Sequence, residues 1–216
     1  NDHLSLENDL IPKMIHKKML TGKKYDNFFL DIGTPKYFKI SEGKLKKYFT
    51  RPSVFLDRDG VINFDYGYVY KKNKFKFRKG VIKGLKYLIK KKIYIFIVTN
   101  QAGIAKGYYK LKDFENLHLY LKDYLIKRDI FFNDVQYAPF HPNAKLKKFR
   151  KKSALRKPGN LMIENIFKKY LINKKKCLMI GDKKSDYLAA KKSKINFEYA
   201  KKDFLKQIKK LSSNYL

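Results

Sequence analysis

The chain has 216 residues, of which 44% are hydrophobic, so it can bury one substantial core together with a small appendage. Its 52 Lys and Arg against 19 Asp and Glu give a formal net charge of +33. Such a charge attracts polyanions, but the lysines are scattered between apolar residues along nearly every segment, and we expect no nucleic-acid partner.

Membrane insertion and disulfide bonding are both disfavoured by the sequence. The longest apolar run, Ile93 to Val98, has the length of a strand, whereas a membrane span needs roughly 20 apolar residues. No signal-peptide pattern is present. The single cysteine, Cys177, opens an apolar run and is expected to be a buried strand residue. We therefore expect a cytoplasmic protein with no membrane partner.

The first 50 residues do not share the pattern of the rest of the chain. They contain an aromatic stretch over 25–38, in which Gly33 and Pro35 indicate a turn. Ser41 is predicted to cap a helix over 42–49. We expect a short N-terminal appendage, residues 1–50, followed by the main domain, residues 51–216.

From Pro52 onward, strands alternate with helices. Runs rich in Ile, Val, Phe and Tyr predict four strands, over 54–57, 93–99, 135–140 and 177–181. Apolar residues three and four apart predict helices over 81–89, 111–126, 161–171 and 185–192. Strict alternation indicates an α/β fold, a Rossmann-like parallel sheet with helices on both faces. Ligands of such sheets bind beyond the carboxyl ends of the strands.

The strongest chemical signal follows the first strand. Asp57 and Asp59 are two residues apart in an extended chain, so they point to the same side, and Gly60 permits a sharp turn. Two neighbouring carboxylates repel each other unless a cation joins them, which favours a hard divalent ion such as Mg²⁺. A carboxylate with a reference pKa of about 4 is ionised at neutral pH, so Asp57 needs no activating base to attack phosphorus.

Further polar groups close the other strands. Thr99-Asn-Gln101 offers a hydroxyl and amides, Arg156-Lys157 supplies cations ahead of a helix, and Gly181-Asp182 brings another carboxylate. Each motif alone is an ordinary turn or loop sequence. Because all of them lie at strand ends or helix starts of one sheet, together they predict a phosphoryl-transfer site.

These motifs resemble those of the haloacid dehalogenase (HAD) phosphatases acting on histidinol phosphate or heptose bisphosphate. The resemblance rests on Phe55-Leu-Asp-Arg-Asp-Gly-Val-Ile-Asn63, Thr99-Asn-Gln101, Arg156-Lys-Pro158 and Gly181-Asp-Lys183. The segments 65–70 and 99–107 resemble most those of the D-glycero-D-manno-heptose 1,7-bisphosphate 7-phosphatases. The similarity covers residues 52–195.

The resemblance implies a HAD-like fold without a large cap domain, and an Mg²⁺-dependent phosphoric monoester hydrolase that forms an aspartyl-phosphate. Asp57 would be the nucleophile and a metal ligand, Asp59 the proton donor and a metal ligand through its backbone, and Asp182 the second metal carboxylate. Thr99 and Lys157 would stabilise the transferred phosphoryl group. The residues implied to contact a small sugar phosphate are Asp65, Tyr66, Gly67, Tyr68, Asn100, Gln101, Ala102, Arg156 and Lys183.

One departure from the family concerns zinc. The family usually holds a structural zinc through Cys-x-His and Cys-x-Cys, but the matching positions here are Ala138, Phe140, Ser153 and Leu155. We expect no structural zinc and regard the nearby His141 as an ordinary loop residue. The loop over 138–155 is then expected to be held by packing of its apolar residues, Phe140, Leu146, Phe149 and Leu155.

The appendage has a resemblance of its own. The stretch Phe29-Leu-Asp-Ile-Gly-Thr-Pro-Lys-Tyr37 resembles the end of the catalytic domain of sugar-phosphate nucleotidyltransferases, although the glycine-rich nucleotide-binding start of that family is absent. Either the chain is the carboxyl part of a bifunctional transferase-phosphatase, or the tail is a remnant. The simpler alternative is a strand and turn punctuated by Gly33 and Pro35.

Three functions stay open at this point. The first is a sugar bisphosphatase in nucleotide-heptose biosynthesis for surface polysaccharide such as lipopolysaccharide. The second is a phosphatase for histidinol phosphate or another small monoester, and the third is a degenerate HAD-like interaction module without activity. The joint presence of Asp57, Asp59, Thr99, Lys157 and Asp182 favours an enzyme. The polar and aromatic segment 65–69 favours a sugar substrate.

Overall fold

A computed structural model describes residues 4–216, and these belong to two compact units, one that ends at Gly43 and one that spans Lys44–Leu216. The first unit contains a π-helical turn, Leu6–Leu10, and helix α1, Ile11–His16. The division falls within helix α2, Pro35–Phe49, whereas the sequence predicts a boundary after residue 50. The assignment of residues 1–50 to an appendage and of residues 51–216 to a phosphatase domain stays a prediction.

The predicted start of helix α2 is wrong. The helix begins at Pro35, so Ser41 lies inside it, and the Ser41 hydroxyl donates a hydrogen bond to the Phe38 carbonyl. The cap is formed earlier, since Thr34 Oγ1 accepts a 3.3 Å hydrogen bond from the Tyr37 amide. The first residue of a helix has no acceptor within the helix for its amide hydrogen. Proline, which has no amide hydrogen, is therefore well suited to this position, and Pro35 starts the helix.

The second unit is built on a parallel sheet of five strands in the order β3-β2-β1-β4-β5. The strands are β1, Arg51–Leu56; β2, Tyr94–Asn100; β3, Asp134–Ala138; β4, Ile172–Gly181; and β5, Asn196–Tyr199. The four predicted strands are confirmed. Strand β5 was not predicted, because this short edge strand is only partly buried and carries no apolar run.

Six helices follow the strands or connect them. They are α3, Val81–Lys90; α4, Ala102–Lys106; α5, Leu111–Ile126; α6, Leu161–Lys169; α7, Lys184–Lys192; and α8, Phe204–Tyr215. Four of these were predicted, and α4 and α8 were missed. A signal for α8 was present, because Asp203 caps it by accepting a hydrogen bond from the Lys206 amide, and Phe204, Ile208 and Leu211 form a buried stripe.

Apolar side chains cover both faces of the sheet, and successive strand residues point to opposite sides. Val54 and Leu56 of β1 contribute to a core with α3 and α8, whereas Phe55 between them belongs to a core with α6 and α7. Cys177 is fully buried in this second core, as predicted. The α/β fold with helices on both faces is therefore confirmed, and residues 44–216 form one unit without a separate cap domain.

The polar residues of interest lie where the strands end. Asp57, Asn100 and Asp182 follow or close β1, β2 and β4, three neighbouring strands of one parallel sheet. Their carboxyl ends meet at the same edge of the sheet, as the rule for parallel sheets predicts. Within residues 4–216, no helix combines the length and the apolar character that crossing a membrane requires.

Candidate active site

A cavity of about 580 Å³ opens at this edge of the sheet. Eleven of the residues predicted for the site line it: Asp57, Asp59, Asp65, Gly67, Tyr68, Asn100, Gln101, Ala102, Arg156, Lys157 and Lys183. Lys106, Tyr109, His141, Pro158 and Ser185 line it as well, although none of them was among the predicted site residues. Segments far apart in the chain are therefore brought together as the motif pattern predicts.

Three predicted residues do not line the cavity. Thr99 is fully buried, and its Oγ1 accepts a 2.9 Å hydrogen bond from Gln101 Nε2. Tyr66 is exposed and stacks on Phe64 instead of turning inward. Asp182 lies beside Asp57 in a cluster of carboxylates. Thr99 is thus placed to support Gln101, which does face the cavity.

Asp57 is buried and has two fixed partners. Its Oδ1 accepts a 2.7 Å hydrogen bond from the Arg58 amide, and its Oδ2 lies 3.1 Å from Lys157 Nζ. Burial raises the pKa of Asp57 to about 6, an effect that Lys157 opposes and that the negative charges of Asp186 and Asp59 strengthen. This value exceeds the ordinary carboxylate pKa expected from the sequence. Burial and neighbouring carboxylates favour the protonated form, and the sequence alone does not show either of them.

Lys157 is the cation at the centre of the site. It is 3% exposed, and its Nζ donates to Val98 O at 2.8 Å and lies 2.6 Å from Asp186 Oδ1. Burial disfavours its charged form, but Asp57 and Asp186 outweigh that effect and raise its pKa. Lys157 is consequently held as an ammonium ion against the Asp57 carboxylate.

Asn100 positions the backbone that carries Lys157. Its Oδ1 accepts from the Lys157 amide at 3.0 Å, and its Nδ2 donates to the Lys157 carbonyl at 3.0 Å. Both backbone groups of the lysine are therefore held by one side chain at the end of β2. The Thr-Asn motif and the Arg-Lys motif depend on each other structurally, besides facing the same cavity.

A second group of charges forms around three carboxylates. Oxygen atoms of Asp57, Asp182 and Asp186 all lie within 4.8 Å of one another. Asp182 Oδ1 is buried and accepts no hydrogen bond from any residue that the structure describes. A Cβ at Gly60 would overlap the Asp182 carboxylate, so glycine is needed for these groups to approach. Burial raises the pKa of Asp182, with Lys183 opposing and Asp186 adding to the shift.

This donor set fits a divalent cation. Hard oxygen ligands, mutual repulsion between carboxylates and an unpartnered buried oxygen are what an Mg²⁺ ion would relieve. Asp186 completes the cluster, although no role was predicted for it. A signal was available, because Asp186 lies in the first turn of α7, where an acidic side chain can accept hydrogen bonds from the free amides at the helix start.

The loop that follows β1 is fixed by a pair of opposite charges. Asp65 Oδ2 accepts a 2.9 Å hydrogen bond from Lys183 Nζ, and Asp65 Oδ1 accepts one of 2.9 Å from the Gly67 amide. Burial by itself would raise the pKa of Asp65. The hydrogen bonds from Lys183 and Gly67 and the charge of Lys183 outweigh this effect, so the pKa of Asp65 is lowered. Gly67 and Tyr68 both have positive φ, of 76° and 55°, so the loop turns tightly at the cavity.

A group of cations on the cavity wall lacks such compensation. Lys106 donates a 2.8 Å hydrogen bond to the Tyr68 hydroxyl, and Arg156 Nη1 donates one of 3.4 Å to the Phe140 carbonyl. Neither Lys106 nor Arg156 has a carboxylate at ion-pair distance among residues 4–216, whereas Lys157 and Lys183 do. His141 lines the same cavity. Burial together with the charges of Arg156 and Lys106 lowers the pKa of His141.

The loop over 138–155, which is followed directly by Arg156, is held by hydrogen bonds as well as by packing. Arg150 Nε donates to Ala144 O at 2.7 Å, and the Leu146 amide donates to Ala105 O at 3.1 Å. Phe140 and Phe149 contact each other, with ring centroids 6.1 Å apart. Leu155 packs on the core, but Leu146 is 38% exposed, so it contributes its backbone more than its side chain. The absence of zinc here stays a prediction.

Comparison with known proteins adds independent information. A family model described as HAD-hydrolase-like matches residues 154–197. The D-glycero-β-D-manno-heptose-1,7-bisphosphate 7-phosphatase of Escherichia coli is 40% identical over 107 residues, which are 50% of this chain and 56% of that protein. The protein of the same name from Rhodopseudomonas palustris is 35% identical over 123 residues, which are 57% of this chain and 68% of that protein.

A solved structure supports the fold. The D,D-heptose 1,7-bisphosphate phosphatase from B. bronchiseptica, complexed with magnesium and phosphate, superimposes with a TM-score of 0.66 at 19% identity. The match covers 75% of this chain and 98% of that chain. In sequence, the chain spans little more than half the length of the E. coli relative. The family that the motifs suggested is nevertheless shown by the R. palustris relative, and the chain belongs to the HAD-like hydrolases that include the D-glycero-β-D-manno-heptose-1,7-bisphosphate 7-phosphatases.

Proposed function

We propose that the chain is a phosphatase that removes the phosphate from carbon 7 of D-glycero-D-manno-heptose 1,7-bisphosphate and releases the 1-phosphate. The relatives carry this activity in their names. The proposal places the enzyme in the supply of nucleotide-heptose for surface polysaccharide. Its substrate is a small, soluble sugar phosphate, which agrees with a cytoplasmic location.

The chemistry uses the two carboxylates that follow β1, the buried Asp57 and the partly buried Asp59. An Asp57 oxygen attacks phosphorus while the bond to the sugar oxygen breaks, and Asp59 gives a proton to that oxygen. Water then attacks the aspartyl-phosphate, Asp59 takes a proton from the water, and the Asp57 carboxylate is restored. Lys157 lies 3.1 Å from Asp57, close enough to offset negative charge on the phosphoryl oxygens, and we propose that Thr99 acts indirectly by holding Gln101.

We propose Mg²⁺ as the cofactor, held by Asp57, Asp182 and Asp186, with Asp59 contributing through its backbone. Bound there, Mg²⁺ would neutralise the repulsion between these carboxylates and an incoming phosphate. The buried, unpartnered Asp182 Oδ1 supports this assignment. Structural zinc plays no part in the proposal, because the four family positions for it carry no thiolate or imidazole.

The uncompensated cations on the cavity wall carry the choice of substrate. Lys157 and Lys183 are neutralised by carboxylates, but Lys106 and Arg156 have none, and burial lowers the pKa of Arg156. A partly desolvated cation without a counter-ion, such as Arg156, is unfavourable unless a ligand brings the charge, and Lys106 adds a second positive charge near it. A second phosphate on the same sugar supplies it, which favours a bisphosphate over a monophosphate.

Lys183 was predicted to contact the substrate, and it does line the cavity. Its Nζ is engaged by Asp65 at 2.9 Å, however, and lies 3.9 Å from Asp182 Oδ2. We propose that Lys183 orders the 65–68 loop, which contacts the sugar, while Lys106 and Arg156 attract the second phosphate. Asn100, Gln101 and Ala102 complete the substrate contacts.

The test is a comparison of phosphate release from three substrates in the presence of Mg²⁺. We expect kcat/KM for heptose 1,7-bisphosphate to exceed that for heptose 7-phosphate and histidinol phosphate at least about tenfold, since charge-assisted contacts are worth about 1.5–3 kcal/mol. Lys106→Ala and Arg156→Ala should each reduce this preference. The exposed Lys112, outside the cavity, provides a matched charge control in Lys112→Ala.

The same assay can also contradict the proposal. Equal kcat/KM values for the three substrates, or a preference for histidinol phosphate, would exclude the heptose assignment. Asp57→Asn should abolish turnover with unchanged circular dichroism, because the amide matches the carboxylate in shape but is a poor nucleophile. Retained turnover in that variant would show that the phosphatase mechanism itself is wrong.

A further inference from the structure

Arg58 lies between the two catalytic aspartates in sequence but turns away from the cavity. It is 0% exposed, which is exceptional for a guanidinium, and it does not line the cavity. A buried arginine is tolerated only where its donors are satisfied. Its partners therefore show what the protein uses it for.

Most of those donors converge on one carboxylate. Arg58 Nη2 lies 2.8 Å from Asp59 Oδ2 and 3.0 Å from Asp59 Oδ1, and Nε lies 3.2 Å from Oδ2. Nη2 also donates to the Val69 carbonyl at 2.6 Å, in the loop that reaches the cavity. The planar fork of arginine fixes both position and rotation of a carboxylate, which a lysine cannot do.

Helix α5 holds the guanidinium from its other side. Arg58 Nη1 is 3.4 Å from Nε2 of His118, and the guanidinium carbon lies 5.6 Å from the centre of the Phe114 ring. The guanidinium is thus fixed by a helix, a loop and the Asp59 carboxylate. Rotation of Asp59 away from it would leave a buried cation without a counter-ion, which is costly.

Two amides complete the hold on Asp59. Asn63 Nδ2 donates to Oδ1 at 2.9 Å, and Gln101 Nε2 donates to Oδ2 at 3.1 Å. Gln101 is itself fixed, because the Tyr109 hydroxyl donates to its Oε1 at 2.6 Å. Each carboxylate oxygen of Asp59 therefore has one amide donor in addition to the arginine.

We propose that Arg58 is a positioning residue that aligns the Asp59 carboxylate for its two proton transfers. This rests on the proposed phosphatase chemistry. In the first half-reaction the Asp57–phosphorus bond forms, the sugar oxygen leaves and Asp59 gives that oxygen a proton. In the second, the water–phosphorus bond forms, the Asp57–phosphorus bond breaks and Asp59 takes a proton from the water. Apart from the Asp59 carboxylate, the Arg58 side chain contacts no group that takes part in the reaction, so the side chain acts only through Asp59. The Arg58 backbone amide, which donates to Asp57, is kept in every variant.

A purely structural arginine makes a different prediction. If Arg58 only joins β1 to α5, its loss perturbs the whole site, and its effect multiplies with that of any other substitution. If it acts through Asp59, its loss has no further effect once the Asp59 carboxylate has been removed. A double-mutant cycle between the two positions separates these cases.

The cycle compares wild type, Arg58→Met, Asp59→Asn and the double variant, with p-nitrophenyl phosphate and heptose 1,7-bisphosphate as probes in Mg²⁺. We expect Arg58→Met to lower kcat at least about tenfold with KM within about twofold, as for loss of an acid-base contribution. In the Asp59→Asn background the same substitution should change kcat less than about twofold. Arg58→Lys should restore kcat only partly, because the ammonium lacks the fork.

Arg78 offers a matched control. It donates to the Gly60 carbonyl and to Lys201 O, so it also supports the loop, but it does not contact Asp59. Whatever factor Arg78→Met imposes on kcat should appear unchanged in the Asp59→Asn background. Multiplicative effects of Arg58→Met and Asp59→Asn would overturn the proposal. Should Arg58→Met fail to fold, Arg58→Lys takes its place in the cycle with the same criterion.

The two probes keep failures apart. Hydrolysis of p-nitrophenyl phosphate without hydrolysis of heptose 1,7-bisphosphate would remove the proposed substrate and still allow the cycle to decide on Arg58. Full activity of Asp59→Asn on both probes would remove the acid-base role of Asp59, and the role of Arg58 with it.

Discussion

Asp57 is buried beside two further carboxylates, and Lys157 is the residue that makes this arrangement tolerable. Its Nζ lies 3.1 Å from Asp57 and 2.6 Å from Asp186, at 3% exposure of the lysine. Breaking such a pair by removing one member leaves an uncompensated buried charge, which is strongly destabilising. Lys157 thus stabilises the site besides its proposed part in the chemistry, and its loss is not a clean test of either.

His118 permits a cleaner test of how one buried residue contributes to the stability of the fold. Burial, reinforced by the nearby charge of Arg58, lowers the pKa of His118 to about 3, whereas an unfolded histidine has a pKa of about 6.5. Between these values the unfolded chain binds a proton that the folded chain does not. The stabilising contribution is therefore present above about pH 6.5 and is lost as pH falls towards 3.

We predict that His118→Gln loses less stability than wild type on acidification. Between pH 7 and pH 5 the difference in free energy of unfolding should be about 1–2 kcal/mol, measured by denaturant titration at each pH. His16, exposed in α1, supplies the control, since His16→Gln should retain the wild-type pH dependence. Identical pH dependence in His118→Gln and wild type would contradict the assignment.

Residues were predictable from sequence where a motif made them stand out. Asp57, Asp59 and Asp182 follow strands that are clear from their apolar runs, so their convergence could be expected. Lys106 could not be found this way, because nothing distinguishes it from the many other lysines. Its importance comes from the missing counter-ion in the cavity, a property of the folded structure. His141 was dismissed as an ordinary loop residue because the sequence shows no partner beside it, yet it lines the cavity.

At the scale of elements, predictability followed length and burial. Helix α5 was predicted with its exact bounds, because its apolar stripe is long. Helix α4 has five residues and β5 has four, so neither is long enough to show a repeating pattern of apolar residues. The connection from β4 to α7 was predicted as a site but not in its detail, since the position of Asp186 depends on how the helix begins.

That connection supports a prediction about the metal. Asp186 Oδ2 accepts from the amides of Asp182 and Lys183, at 3.2 and 2.9 Å, besides belonging to the carboxylate cluster. Asp186→Asn keeps an acceptor for these amides but removes the charge. We therefore expect the Mg²⁺ concentration for half-maximal activity to rise about tenfold or more, within the range of 10–100-fold typical of residues around metal sites.

The control for Asp186→Asn is another aspartate at a helix start. Asp203 caps α8 through the Lys206 amide and lies outside the cluster, so Asp203→Asn should leave the Mg²⁺ dependence unchanged. Direct titration of Mg²⁺ binding by calorimetry should show the same contrast without relying on turnover. Unchanged Mg²⁺ affinity in Asp186→Asn would remove this residue from the proposed ligand set.

For the whole molecule, the charge of +33 and the uncompensated cavity cations act in the same direction. A positive surface raises the local concentration of anionic ligands, and the proposed role of the cavity wall is to favour those with a second phosphate. The lack of a nucleic-acid partner stays a prediction, as does the origin of the N-terminal appendage in a sugar nucleotidyltransferase. The sequence alone could not decide either point, because composition and one short motif do not determine a binding partner.

The two compact units lead to the last prediction. Every residue lining the cavity lies between Asp57 and Ser185, and the sheet begins at Arg51, all within Lys44–Leu216. We expect a chain of residues 44–216 to fold and to keep kcat/KM within about twofold of the full chain, because a compact unit with its own core can fold alone. Circular dichroism and phosphate release measure the two properties. A chain that starts at Asp57 lacks β1, which pairs with both β2 and β4, and should not fold. If residues 44–216 fold but lose activity, the appendage contributes directly to the site, and the proposed division of the chain is wrong.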